Sequence, residues 1–106
     1  MEHSVREEGA SLVVAFVGDV DLEHSPKARE VLLHSVNRGR KVLVDLSGVD
    51  YIDSSGVASL VEAFKLAKTK SQELALTSVS ASAMRVLQLA RLDKVFTIHD
   101  SVADAL

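Results

Sequence analysis

The chain has 106 residues, of which 47% are apolar and 25% charged, with 12 basic and 15 acidic side chains and a net charge of −3. This fits one compact domain over residues 1–106, with no cysteine for disulfides, thiolate metal sites or nucleophiles. Basic residues are scattered, densest at Arg38, Arg40 and Lys41, so the stripe that a nucleic-acid backbone requires is missing.

The first apolar run is SLVVAFV, residues 11–17, short and partly β-branched, which predicts a buried strand ending at Gly18. Residues 4–8 supply a plausible antiparallel partner, turning at Gly9-Ala10. GDVDLEHS follows as a polar loop, with Ser25 as N-cap and Pro26 in the first turn of a helix over 26–37. In that helix Ala28, Val31, Leu32, Ser35 and Val36 share one face, and Gly39 sits at the stop.

KVLVDL, residues 41–46, predicts a central parallel strand, because three apolar residues in a row imply burial on both faces. Asp45 inside it is expected to be hydrogen-bonded at the sheet edge. A helix over 54–69 places Val57, Leu60, Val61, Phe64 and Ala67 at helical spacing. ELALTSV, 73–79, reads as the next parallel strand. A helix over 81–90 follows, capped by Ser80, with Met84, Leu87 and Ala90 inward. VFTI, 95–98, is the last strand, and Asp100 caps a short helix in SVADAL.

The order β-β-α-β-α-β-α-β-α predicts an α/β fold with a small, mixed, mainly parallel sheet. Its crossover helices are expected largely on one face. The loops leaving the strand carboxyl ends then line one rim, where ligands usually bind. That rim would hold 18–25, 47–54 and 77–81, making Asp19, Asp21, Asp53, Ser54 and Ser55 neighbours.

The segment DSSG, 53–56, reads two ways. Asp53 is a good N-cap for the helix behind it, and on that reading the serines merely tolerate the first turn. Gly56 fits this less well, since glycine within a helix costs about 1 kcal/mol relative to alanine; a small residue there implies that something approaches the backbone closely. Alternatively a serine is phosphorylated: a helix start favours a phosphate, and the added charge would repel a partner docking on that rim. At about 100° per residue, Ser54 lies at the edge of the apolar face and Ser55 nearly opposite it, so exposure favours Ser55.

His3, His24, His34 and His99 show no ligand spacing, so no metal is expected. G-x-S-x-G and a glycine-rich phosphate cradle are both absent. A hydrolase using Ser54 or Ser55 would lack a nearby histidine base. No apolar run reaches the roughly eighteen residues that span a bilayer, and the acidic MEHSVREEGA has no signal-type segment. A cytoplasmic protein without membrane insertion is the expectation.

Three stretches, GDVDLEHSPKAREVLL, VLVDLSGVDYIDSSGVASLVEAFKLAK and SAMRVLQLARLDKVFTIHDSVADAL, resemble the STAS domain, specifically the bacterial anti-anti-sigma factors (anti-sigma factor antagonists). The resemblance covers nearly the whole chain. It implies a non-enzymatic regulator that binds an anti-sigma factor, itself a serine kinase, and thereby frees a sigma factor until phosphorylation ends the contact. The acceptor it implies is the serine directly after the motif's aspartate, Ser54, which overrules the wheel-based preference for Ser55. Asp21, in GDVD, matches a commonly acidic position of the partner-facing loop. Asp53, Ser55 and Gly56 complete the expected docking surface. No cofactor is expected, ATP belonging to the kinase. Similar single domains serve lipid-transport ABC systems by binding the ATPase, which is the alternative reading. Two positions depart from the family: Arg91 stands where glycine is often found after the third helix, and TKSQE lacks the glycine often found before the next strand.

Overall fold

The computed structural model describes residues 1–106. Its elements run β1 (Glu2–Glu8), β2 (Ser11–Val20), α1 (Ser25–Asn37), β3 (Lys41–Ile52), α2 (Ser54–Thr69), β4 (Leu74–Thr77), α3 (Ala81–Leu89), β5 (Thr97–His99) and α4 (Val102–Ala105). The five strands form one sheet in the order β1-β2-β3-β4-β5. Only β1 and β2 pair antiparallel; the three other pairings are parallel. Because the parallel strands stand in sequence order, each right-handed crossover puts its helix on the same side. Helices α1, α2 and α3 accordingly enclose one core with Val14, Phe16, Val44, Leu46 and Leu76. The opposite face is covered by α4, whose Ala105 packs with Val13, Leu43 and Ala75. Val42, Leu43 and Val44 of the central strand β3 are at most 1% exposed, as three consecutive apolar residues implied.

The sequence reading differs from the structure chiefly at the rim. Strands β2 and β3 do not stop at residues 17 and 46 but continue to Val20 and Ile52. Val17, Gly18, Asp19 and Val20 pair with Gly48, Val49, Tyr51 and Ile52, past two register shifts. Each shift places an extra residue in β3, so its buried Val49 and Ile52 lie three apart and the period-two signal is lost. The last strand is Thr97–His99 rather than 95–98, and β4 is shorter than the 73–79 run.

Three local assignments change. Ser25 is not the cap of α1: His24 holds that position, and the Asp21 carbonyl accepts the His24 and Ser25 amides at 3.1 and 2.7 Å. The final helix is capped by Ser101, whose hydroxyl accepts from Asp104 N, instead of Asp100. Ala90 is exposed at the C-cap of α3, its inward place being taken by Ala83. Ser80 caps α3 as expected, accepting from Ala83 N at 3.2 Å and donating to the Val49 carbonyl at 2.7 Å. Asp45 accepts the amide of Ser47 at 2.9 Å.

Candidate functional site

Strand β3 ends at Ile52, and its chain turns directly into α2 through Asp53, whose extended backbone suits an N-cap. One carboxylate oxygen, Oδ1, accepts from Ser55 N at 3.0 Å, Gly56 N at 3.1 Å and the Ser55 hydroxyl at 2.5 Å. The other, Oδ2, accepts from Leu22 N at 3.1 Å, across 31 residues of sequence. Asp53 therefore joins the start of α2 to the turn between β2 and α1. The Ser55 hydroxyl, together with the Gly56, Ser55 and Leu22 amides, holds its carboxyl below the ordinary value of 3.8, against a partial desolvation that opposes them.

The two serines have separate environments. Ser55 is half-buried and its hydroxyl is occupied by Asp53, so the helical-wheel expectation of a freely exposed Ser55 does not hold. The wheel omits the cap, which draws the first-turn hydroxyl inward. Ser54 is exposed, and its hydroxyl makes no hydrogen bond within the chain. It stands at the head of a shallow groove of about 490 Å³ along α2, lined by Val57, Ala58, Val61, Glu62 and Lys65.

Gly56 faces inward. A Cβ built on it would lie 2.3 Å from the Val20 carbonyl oxygen and 2.7 Å from Ile52 Cγ1. The close approach implied by the sequence is thus internal: the first turn of α2 rests on the end of β2. Gly56 is buried, which removes it from the surface expected to face a partner and makes it the seat of the helix. Farther along, Ser59 Oγ lies 3.2 Å from both the Ser25 and Ser55 carbonyls, and Arg29 of α1 pairs with Glu62 at 2.7 Å.

In the β2–α1 turn, Asp21 Oδ1 accepts from His24 N at 3.1 Å and meets His24 Nδ1 at 2.7 Å. Partial desolvation pushes the Asp21 carboxyl up, but the hydrogen bonds and charge of His24 outweigh it and leave the group below 3.8. Potential ligand atoms of Asp21, Glu23 and His24 lie within 4.8 Å of one another, a grouping that the histidine spacing did not reveal; Asp21 and His24 already bond each other.

Around Ser54 the rim is acidic. Asp19, Asp21, Glu23, Asp50 and Asp53 all lie on it, whereas no lysine or arginine occurs between Arg6 and Lys27 or between Lys41 and Lys65. Two apolar side chains stand out from this surface, Leu22 at 75% and Tyr51 at 53% exposed. Neither was singled out from the sequence. The available signal was their position, one Leu inside the polar GDVDLEHS and one Tyr between Asp50 and Asp53. The expected site residues Asp21, Asp53, Ser54 and Ser55 are brought together at one rim.

Residues 3–105 match the STAS domain family. This chain belongs to that family. The STAS domain is 30% identical over 98 residues to the anti-sigma-B factor antagonist of Listeria monocytogenes, covering 91% of this chain and 86% of the relative. Among solved structures, the anti-sigma-factor antagonist (STAS) domain protein of Planctomyces limnophilus superposes with a TM-score of 0.85 at 28% identity, over 97% of this chain and 93% of that one. The Bacillus cell fate determinant SpoIIAA in its phosphorylated form shares the fold, with a TM-score of 0.75 at 15% identity over 98% and 96% of the two chains. No helix of this domain is long and apolar enough to cross a membrane.

Proposed function

We propose that this STAS domain is an anti-sigma factor antagonist switched by phosphorylation of Ser54. Unphosphorylated, it binds an anti-sigma factor that is also a serine kinase, freeing a sigma factor in the cytoplasm. The observation that carries this reading is an exposed, unengaged Ser54 hydroxyl directly after Asp53, whose carboxylate binds the turn that carries Asp21 and the exposed Leu22. Asp21, Asp53 and Ser55 belong to the docking surface, with Gly56 fixing the helix that presents it.

In the transfer, Ser54 Oγ forms a bond to the γ-phosphorus of a nucleoside triphosphate held by the kinase. The bond from that phosphorus to the diphosphate leaving group breaks, and the hydroxyl proton passes to a base of the kinase. This chain supplies only the acceptor and its presentation. The phosphate adds roughly 1.5 to 2 negative charges to a surface already acidic. A partner whose facing surface fits an exposed hydroxyl then meets extra volume and charge, and the contact is lost.

The test is capture of partners from the native organism, identified by mass spectrometry, followed by affinity measurements with wild-type, Ser54→Ala, Ser54→Asp and phosphorylated protein. Recovery of a kinase-type anti-sigma factor that binds Ser54→Ala tightly and the phosphoprotein weakly supports the reading. Equal binding by all four forms refutes the switch. Recovery of an ABC ATPase with its permease in place of an anti-sigma factor refutes the transcriptional role.

A further inference from the structure

The Asp53 carboxylate bonds both to the segment carrying Ser54 and to the turn carrying Asp21, Leu22 and His24. Its Oδ1 accepts the first-turn amides of α2, while its Oδ2 accepts Leu22 N at 3.1 Å. Leu22 N is therefore held by an oxygen whose placement depends on the helix start. The same amides, with the positive end of the helix dipole, are what a phosphate attached at the first helical position would seek.

We propose that Asp53 is a positioning residue that transmits the charge state of Ser54 to the Leu22 turn. A phosphate on Ser54 Oγ competes with Oδ1 for the Ser55 and Gly56 amides and repels the carboxylate. As Asp53 is displaced, Oδ2 leaves Leu22 N, and the turn loses this direct link to the helix start, while Ser59 still holds the Ser25 carbonyl. The contact surface is then altered twice, by the new anion at residue 54 and by release of the exposed Leu22 beside it. The helix itself remains seated, because Gly56 on Val20 and Arg29 on Glu62 hold it independently of the cap.

This inference rests on Ser54 as the modified residue, yet its test needs no kinase. Phosphoserine is installed at position 54 during translation, and amide exchange of Leu22 is followed by NMR in the isolated protein. Leu22 is expected to exchange at least tenfold faster in the phosphoprotein, while Val14 inside the sheet is unchanged. Unphosphorylated Asp53→Ala supplies the second arm. It removes both carboxylate oxygens, so Leu22 already exchanges fast and phosphorylation adds less than twofold. Unchanged Leu22 protection in the phosphoprotein overturns the coupling. So does wild-type protection in Asp53→Ala. A protein that responds at Leu22 but captures no anti-sigma factor refutes the functional reading alone. Loss of the partner on phosphorylation, with Leu22 protection intact, refutes the coupling alone.

Discussion

Replacing Gly56 by alanine tests the packing that presents Ser54. On an exposed helix position this change stabilises by about 1 kcal/mol through helix propensity. Here the added Cβ would sit 2.3 Å from the Val20 carbonyl oxygen, 2.7 Å from Ile52 Cγ1 and 3.0 Å from Val20 Cγ1. Ordinary contact begins at 3.4 Å, so the first turn of α2 must retreat from β2 by about 1 Å. The nearest obstacle is a backbone oxygen in a paired strand, which cannot rotate aside as a side chain does. Overpacking of this kind costs about 1–3 kcal/mol, and the immobile oxygen argues for the upper end. After the propensity gain, a net destabilisation of about 2 kcal/mol is expected. For a domain of this size that lowers Tm by roughly 8–16 °C. Urea unfolding followed by far-UV circular dichroism reads the free energy directly. The exposed Ala58→Gly on the same helix calibrates propensity alone, with an expected loss of about 1 kcal/mol. A Gly56→Ala protein as stable as wild type, or more stable, would show that α2 is not seated on Val20 and would remove the structural explanation for glycine in this motif.

The non-glycine residues at the two departures from the family pattern have left-handed backbones, Ser71 with φ 56° and Arg91 with φ 59°. Each of Ser71→Gly and Arg91→Gly should therefore stabilise by about 0.5–1 kcal/mol in denaturant titrations, relief of strain exceeding the entropy glycine adds to the unfolded chain. Asp53 and Asp21 have folded-state pKa values below 3.8. Their contribution is therefore fully present above about pH 4 and lost as acid titrates the folded carboxyls. Asp53→Asn should flatten the acid limb of the stability curve below that pH while losing stability at neutral pH. Truncating Leu22 or Tyr51 to alanine should leave Tm within about 2 °C and weaken partner binding on the order of tenfold, as read by calorimetry. Binding should also slow as salt rises, since the acidic rim has no lysine or arginine of its own to screen it.

The amino-acid order alone determined the alternation of strands and helices, the central place of β3 and the crossover helices on one face. Each of these follows from local periodicity and from the handedness of parallel connections, which act along the chain. DSSG likewise marked a helix start. Tertiary structure decided the rest, because it depends on contacts between segments that periodicity does not encode. The bulged continuation of β2 and β3 breaks the alternating pattern, so residues 47–52 read as loop although they form strand. What approaches Gly56 is a carbonyl 36 positions away in sequence. Which serine hydroxyl stands free turned on one carboxylate, which engages that of Ser55 and leaves Ser54 to solvent. The same carboxylate reaches Leu22 because strand pairing brings the two rim segments side by side, and no helical wheel contains that distance.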